Sequence, residues 1–387
     1  MERRKVEFLN EFDVSDLLSG RCEISSKGID GDQTLTQNFA ENIFNQFGLL
    51  YEPVLDQRNG YEEIVKPSWP GGAEFGVCLT HDVDKIHPWS ERELIRSGLQ
   101  NARLNMSQSA PVSAFCSLVG HLITAVSATQ KNRTTPEHYF EKWLEAEQAV
   151  GANSTFFFCP EQTTYPHQSN TDYRYADPVK FEGEELTVAE LMKTLRDRGN
   201  EIGLHSLRGA VNDVDEMISQ RRQLESASGG TVQSARHHWL FYDITTTPKT
   251  QAEAGLKYDS TLAVTGNVGF RFGTSYPWHL YDLQAEESLD LVEIPLIIQD
   301  TALFDKKYMG LSAEKAIEYV RRLGKHVKEV GGVLTLNWHP NTTKQGERYS
   351  TYRRALKELD EMGAWFGTVA EIGEVWEESG NVFRTPN

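Results

Sequence analysis

The chain has 387 residues, about a quarter of them charged, and carries a formal net charge of −17 with a pI near 5.2. That surplus of carboxylates would repel a phosphate backbone, which argues against nucleic acid as a partner. No apolar run reaches the ~18 residues of a membrane span, and the length suits one large α/β domain with extra elements, or two domains.

The chain opens Met1-Glu2-Arg3-Arg4-Lys5 and meets Asn10, Glu11 and Asp13 without an intervening hydrophobic stretch, so no export leader is expected here. Cys22, Cys78, Cys116 and Cys159 are widely spaced and form no CxxC pair, which suits free or buried thiols in a reducing, cytoplasmic compartment rather than a disulfide framework or a Cys-ligated zinc. Residues 1–72 read as a mixed N-terminal extension in which Phe39, Ile43, Phe44 and Phe47 space as one amphipathic helix. The breakers between Pro67 and Gly72 mark a boundary, and residues 73–387 read as a barrel.

The first barrel strand starts near Phe75 and ends Thr80-His81-Asp82-Val83-Asp84. An apolar run that stops abruptly at carboxylates and an imidazole is how a buried parallel strand delivers side chains to a rim. Asp82 and Asp84 are two apart, so in extended backbone they share a face. Two aimed carboxylates can hold one cation and leave one group as a base. The plain alternative is a helix-capping Asp beside a surface Asp.

Residues 85–135 read as a helical insertion. Residues 91–104 look helical, and 112–126 are apolar but broken by Ser113, Ser117, Gly120 and His121. A helix packed on the barrel explains the apolar part better than a lid or a lipid-facing surface does. From Pro136 onward helices and strands alternate. Helix 140–150 leads to strand 154–158, and the helix after Thr187, with apolar Leu191, Met192 and Leu195, leads to strand 201–206. Helix 214–227 leads to strand 232–236, and 250–255 to 256–259; 291–298 reads as one strand. The helix capped by Ser312, with Ile317, Val320, Leu323 and Val327 on one face, leads to 331–340; 352–363 leads to 364–368. This alternation predicts a mostly parallel sheet with about eight strand tips. No GxGxxG appears, so a closed or nearly closed barrel, with all tips on one face, fits better than an open sheet. His205 and His339 each end an apolar strand. A lone His there is more often structural, but three tips bearing Asp or His in one barrel point to a shared site.

Thr80-His81-Asp82-Val83-Asp84, Leu204-His205-Ser206, Arg236, Tyr258-Asp259-Ser260 and Leu336-Asn337-Trp338-His339, in this order, resemble the polysaccharide deacetylase family, the NodB-homology domain of carbohydrate esterase family 4. The likeness spans about residues 75–376 and is nearest to a branch with a Thr-His-Asp-Val-Asp opening and a variable N-terminal region. It implies a (β/α)7-type barrel, often incomplete, and a metal-dependent deacetylase. Carried over by position, it implies that Asp82 is the catalytic base, Asp84 and His205 are metal ligands, Arg236 orients and charge-balances the base, and His339 is the general acid. The family's second metal His falls on Gly209, which has no side chain to bind with.

His238, two residues beyond Arg236, is the best replacement ligand; a contact to substrate or to a ligand is the equal alternative. His81 and His237 are weaker, being on the alternate face. One Asp and two His form a recognised zinc arrangement with an open water position, so Zn2+ is the expected cofactor. Such an ion would activate water, Asp82 would take its proton, and His339 would protonate a leaving amine. An O-acetyl ester would need that acid less. The expected partner is an acetylated sugar or a glycan precursor. Tyr276, Trp278, Tyr281 and Trp338 could stack on a pyranose, though ordinary packing explains them equally well. Two other readings stay open. One is a glycosidase, for which Glu293 or Asp300 would have to join Asp82. The other is a non-catalytic carbohydrate-binding barrel.

Overall fold

The computed structural model describes residues 18–19, 50–56, 66–86, 140–161, 173–340 and 345–380. The helix expected near Phe39–Phe47, the 85–135 insertion beyond Ile86, and Cys22 and Cys116 lie outside the described residues.

In chain order the elements are β1 (Phe75–Val83), α1 (Glu141–Gln148), β2 (Thr155–Phe158), a hairpin of β3 (Pro178–Phe181) and β4 (Glu184–Thr187), α2 (Val188–Asp197), β5 (Glu201–Ser206), α3 (Val214–Ser228), β6 (Ser234–His237), α4 (Thr247–Glu253), β7 (Tyr258–Asp259), β8 (Trp278–Asp282), β9 (Glu287–Glu293), β10 (Leu296–Gln299), α5 (Asp300–Phe304), α6 (Ala313–Val330), β11 (Val333–Asn337), α7 (Gln345–Glu361), β12 (Ala364–Gly367) and α8 (Val369–Glu378). Local signals set the helix ends. Thr187 with Glu190 and Thr368 with Glu371 form capping boxes at α2 and α8. Ser312 caps α6, and Gly331 ends it in the left-handed region that glycine adopts without cost.

The main sheet runs β10-β11-β1-β2-β5-β6-β7-β9-β8, and β12 joins the first half of β1. Neighbours along it are parallel except β8 against β9. All nine residues of β1 are buried, as a strand with neighbours on both edges and cover on both faces requires. The curled sheet with its helices is the expected incomplete (β/α) barrel.

Two strands differ from the sequence reading. The run expected as one strand over 291–298 is split at Ile294-Pro295. β9 pairs with β7, whereas β10 pairs with β11 on the far side of the circuit. Proline has no N–H for a ladder, so the break falls there and becomes the joint of the incomplete barrel. The β3–β4 and β8–β9 hairpins were not foreseen.

Residues 50–56 lie on the barrel. Leu50 accepts a backbone hydrogen bond from Phe270, and Leu55 donates one to Gly273. Asp56 accepts from the Ser275 hydroxyl and amide at 2.6 and 2.7 Å, and burial pushes its carboxyl up to about 7. Trp69 lies flat against Gly76, where a Cβ would come within 2.9 Å of the indole, and its Nε1 donates to the Gly331 carbonyl.

α6 buries Ala316, Ile317, Val320, Leu323 and Val327, and α7 faces it with Leu356 and Leu359. Gly324 lets the two helices close up, since a Cβ there would sit 2.9 Å from Leu359. Leu323→Ala is expected to lower the unfolding free energy by about 2–5 kcal/mol in a urea titration. A loss below about 1 kcal/mol would show that this face is not the packed core described.

Candidate active site

The C-terminal ends of the parallel strands bring together Asp82 from β1 and Asp84 just after it, Cys159 after β2, His205 from β5, Arg236 from β6 and His238 just after it, Asp300 after β10, and Asn337 from β11 with His339 two residues on. Alternation along β1 sends Thr80 and Asp82 inward and His81 outward. His81 lies behind the wall, stacked on Phe156 with centroids 4.7 Å apart; its Nδ1 donates to the Trp338 carbonyl at 2.7 Å and its Nε2 meets Glu147 at 2.6 Å. His237, fully buried, turns away as well, and burial lowers its pKa to about 3.

Asp82 is held at both oxygens. Arg236 Nη1 donates to Oδ1 at 2.9 Å, and Asn337 Nδ2 donates to Oδ2 at 2.7 Å. Asn337 Oδ1 also accepts from the Asp82 amide at 3.2 Å. Arg236 is fully buried. Its Nε and Nη2 donate to the Ser260 carbonyl and hydroxyl at 2.7 and 2.8 Å, its Nη1 also reaches Thr80, and its guanidinium lies 4.6 Å above the Phe157 ring. Burial alone would raise the Asp82 carboxyl, but the Arg236, His205 and His339 charges bring it below its ordinary value.

Asp84 faces three imidazoles. Its Oδ1 lies 3.2 Å from His205 Nε2 and 3.5 Å from His238 Nε2, and its Oδ2 lies 3.9 Å from His339 Nε2. Against the effect of burial, the His205 contact and the nearby His339 charge hold this carboxyl well below the usual range. His205 Nδ1 donates to the Arg236 carbonyl at 2.9 Å, so Nε2 is the ring nitrogen turned toward Asp84. Burial, with His205 nearby, lowers His238 to about 4, so its imidazole is neutral.

These residues fit a divalent cation. No hydrogen-bond donor among the described residues satisfies the buried acceptor Asp84 Oδ1. Among the described residues, Asp84, Cys159 and His205 offer donor atoms that lie within 4.8 Å of one another. Gly209 lies in the short turn Arg208–Ala210 after β5 and offers nothing.

His339 completes the cluster, with Nε2 3.8 Å from Asp82. Its Nδ1 donates to Asp300 at 2.6 Å, and Asp300 in turn accepts from Arg348 at 2.9 Å. Burial opposes the imidazolium, but the Asp300 charge and hydrogen bond, with Asp84 and Asp82, raise His339 to about 10.

Three residues expected to contact substrate do not face the mouth. Trp338 is fully buried against Phe304 and Tyr352, and its Nε1 donates to the Arg348 carbonyl. Trp278 is 1% exposed and packs on Phe272. Tyr276 is buried, and its hydroxyl is bonded to the Val330 carbonyl at the end of α6, just before β11 begins. All three are wall residues, since large rings bury more favourably than they stack in water. Tyr281 is buried too. The exposed aromatic beside the site is Trp239, 76% exposed and 5.6 Å from the His238 ring. It begins a left-handed pair, with φ of 60° at Trp239 and 55° at Leu240. The carboxyls that a glycosidase would require are engaged elsewhere. Glu293 accepts from the Leu262 amide and is paired with Asp259, and burial with that neighbour raises it well above its ordinary value. Asp300 is tied to His339 and Arg348. Sequence reasoning gave no role to Asn337, Cys159, Arg348 or Trp239. Alternation on β11 puts Asn337 on the face of His339, and that was the available signal.

No protein-family model matches the chain, and no curated protein does. Solved structures do. A Mycobacterium smegmatis protein named as a polysaccharide deacetylase is 22% identical with a TM-score of 0.52, over 83% of this chain and 96% of that one. A Pseudomonas aeruginosa protein of the same designation is 15% identical with a TM-score of 0.49, over 84% and 99% of the two chains. The likeness to the Mycobacterium smegmatis structure shows that the fold is that of the polysaccharide deacetylases.

In metal-free protein the raised His339 implies a sign. Its stabilisation is fully present below the ordinary histidine pKa of about 6.5 and is lost as pH rises through about 10. Unfolding free energy should therefore fall between about pH 6.5 and 10, and Asp300→Asn should flatten that slope. An equal slope in both proteins would remove Asp300 as the cause.

Proposed function

We propose that this chain is a metal-dependent hydrolase that removes N- or O-acetyl groups from a carbohydrate or glycan precursor. The observation that carries the reading is the meeting of a clamped carboxylate, Asp82, with an imidazolium, His339, 3.8 Å away, beside the donor cluster of Asp84 and His205. The polysaccharide deacetylase fold supports the choice of substrate class. A precursor rather than a finished polymer follows from the cytoplasmic location we infer.

Asp84 and His205 would hold the ion, with His238 and Cys159 in reach of it. Carboxylate and imidazole donors suit zinc. When bound, such an ion lowers the pKa of water to about 7 and polarises an acyl oxygen.

Asp82 then takes the proton of the attacking water. Arg236 and Asn337 keep Asp82 ionised and fix its direction, so no reorganisation is needed as the proton moves. Its depressed pKa makes it a weak base, which suits a water already acidified. His339 gives its Nε2 proton to the leaving nitrogen. An amine leaves poorly unless protonated, so the acid is needed most for an N-acetyl group. Asp300 accepts from Nδ1, which orients the ring and leaves Nε2 as the proton donor.

Asp82→Asn keeps the shape of the clamp but cannot take a proton. It should retain metal and lose about 10²–10⁴-fold in turnover on an N-acetylated sugar that the wild type cleaves. Unchanged turnover would exclude Asp82 as the base. If the wild type cleaves no N- or O-acetyl sugar and takes up no metal, the carbohydrate-binding barrel becomes the better reading.

His339→Ala separates the two linkages. The loss should be larger on an N-acetyl sugar than on an activated acetyl ester, because only the amine must be protonated to leave. Equal losses would mean that His339 acts in binding rather than as the acid.

A further inference from the structure

Resting on the metal reading above, we propose that Cys159 supplies a thiolate as the third protein donor to the ion, at a site where Gly209 provides no imidazole. The donors come from three adjacent strands, since β1 pairs with β2 and β2 with β5. Asp84 follows β1, Cys159 follows β2 and His205 belongs to β5, so they form one arc of the rim. Their donor atoms lie within 4.8 Å of one another. His238 also approaches Asp84, at 3.5 Å, but it stands outside that group of three, on the next strand round.

The thiol is held in place by its backbone. The Tyr173 hydroxyl accepts from the Cys159 amide and donates to the Val83 carbonyl, both at 2.9 Å. This ties the residue bearing the thiol to the one before Asp84. The Tyr175 hydroxyl donates to the Cys159 carbonyl at 3.1 Å. Both tyrosines are buried. Both described cysteines are buried in apolar clusters, Cys78 with Trp69, Phe157 and Val333 and Cys159 with Val83, Ile86 and Phe158. Cys159 differs in that its sulfur also lies within 4.8 Å of an Asp84 oxygen and a His205 nitrogen, where it can serve as a ligand.

On binding, the sulfur–metal bond replaces one water of the ion, and the thiol proton passes to solvent. Thiolate, carboxylate and imidazole together select zinc or cobalt(II) over magnesium or calcium, and three protein donors leave the fourth tetrahedral position open for water. His238 remains free to contact that water or the acyl group.

The test is a cobalt(II) titration of the full metal-free chain followed by absorption. Wild type should bind one ion and show a sulfur-to-cobalt charge-transfer band in the near ultraviolet. Cys159→Ser should lose the band and bind cobalt at least about tenfold more weakly, a loss comparable to removing a partner that merely orients a ligand. Cys78→Ser and His238→Gln should keep the band. Cobalt bound by the wild type without the band, or a band that survives in Cys159→Ser, overturns the thiolate assignment and leaves the metal reading standing. No cobalt bound by the wild type overturns both. Should Cys159→Ser fail to fold by circular dichroism, X-ray absorption of the zinc-loaded wild type decides instead. One sulfur at about 2.3 Å is expected, and a shell of nitrogen and oxygen alone would refute the proposal.

Discussion

The ion pair between Arg236 and Asp82 is the constraint on which the rest of the site depends. Two opposite charges lie in the barrel interior, almost fully out of water. Desolvating them costs several kcal/mol each, and the pair is tolerable only because nearly every polar atom is satisfied. The guanidinium makes four hydrogen bonds, to Ser260 twice, Thr80 and Asp82. β1 and β6 are not neighbours in the sheet, so this contact crosses the interior and ties distant strands together. Asn337 reaches the other oxygen of Asp82 from β11. Asp82 is thereby the point at which three strands are joined, and its direction is set by the barrel itself.

The same strands are fastened on the outside of the wall. Asp82 and Asn337 meet within, while their neighbours His81 and Trp338 meet behind, where the His81 ring donates to the Trp338 carbonyl. Glu147 holds the far side of that ring and also accepts from Ser154 and Tyr352 at 2.8 Å each. A strand places successive side chains on opposite faces, so one register serves both purposes. The segment that carries His339 is fixed to the strand of Asp82 from front and back. His339 has its own support in Asp300, which Arg348 holds, and the Asp300 charge and hydrogen bond, with Asp84 and Asp82, keep the imidazole protonated against the effect of burial.

Much of this was legible in the chain. Apolar strands preceded by amphipathic helices and ended by Asp82, His205 and His339 identified a parallel barrel with a shared rim, because strand tips in such a fold converge. The placing of His81 and His237 behind the wall followed from alternation alone. The same rule applied to Trp338, which lies between Asn337 and His339, would have assigned it to the wall. Reading it as a sugar platform gave weight to proximity in sequence over direction. Asp300 as the partner of His339 was not legible, since the two are 39 residues apart and no local pattern links them. Cys159 became visible as a neighbour of Asp84 only when β1, β2 and β5 were side by side. The split at Pro295 could have been read from proline's missing N–H, but which neighbours the two halves join depends on the closure of the whole sheet.

The central claim is that Asp84 and His205 hold a divalent ion beside a carboxylate base. The most direct measurement is anomalous diffraction at the zinc edge from crystals of the chain grown with zinc. The expected result is one strong peak about 2.0–2.2 Å from both an Asp84 oxygen and His205 Nε2, with Asp82 still bonded to Arg236. Saturating zinc with no peak there, or a peak bound by Asp82 after its separation from Arg236, would contradict it.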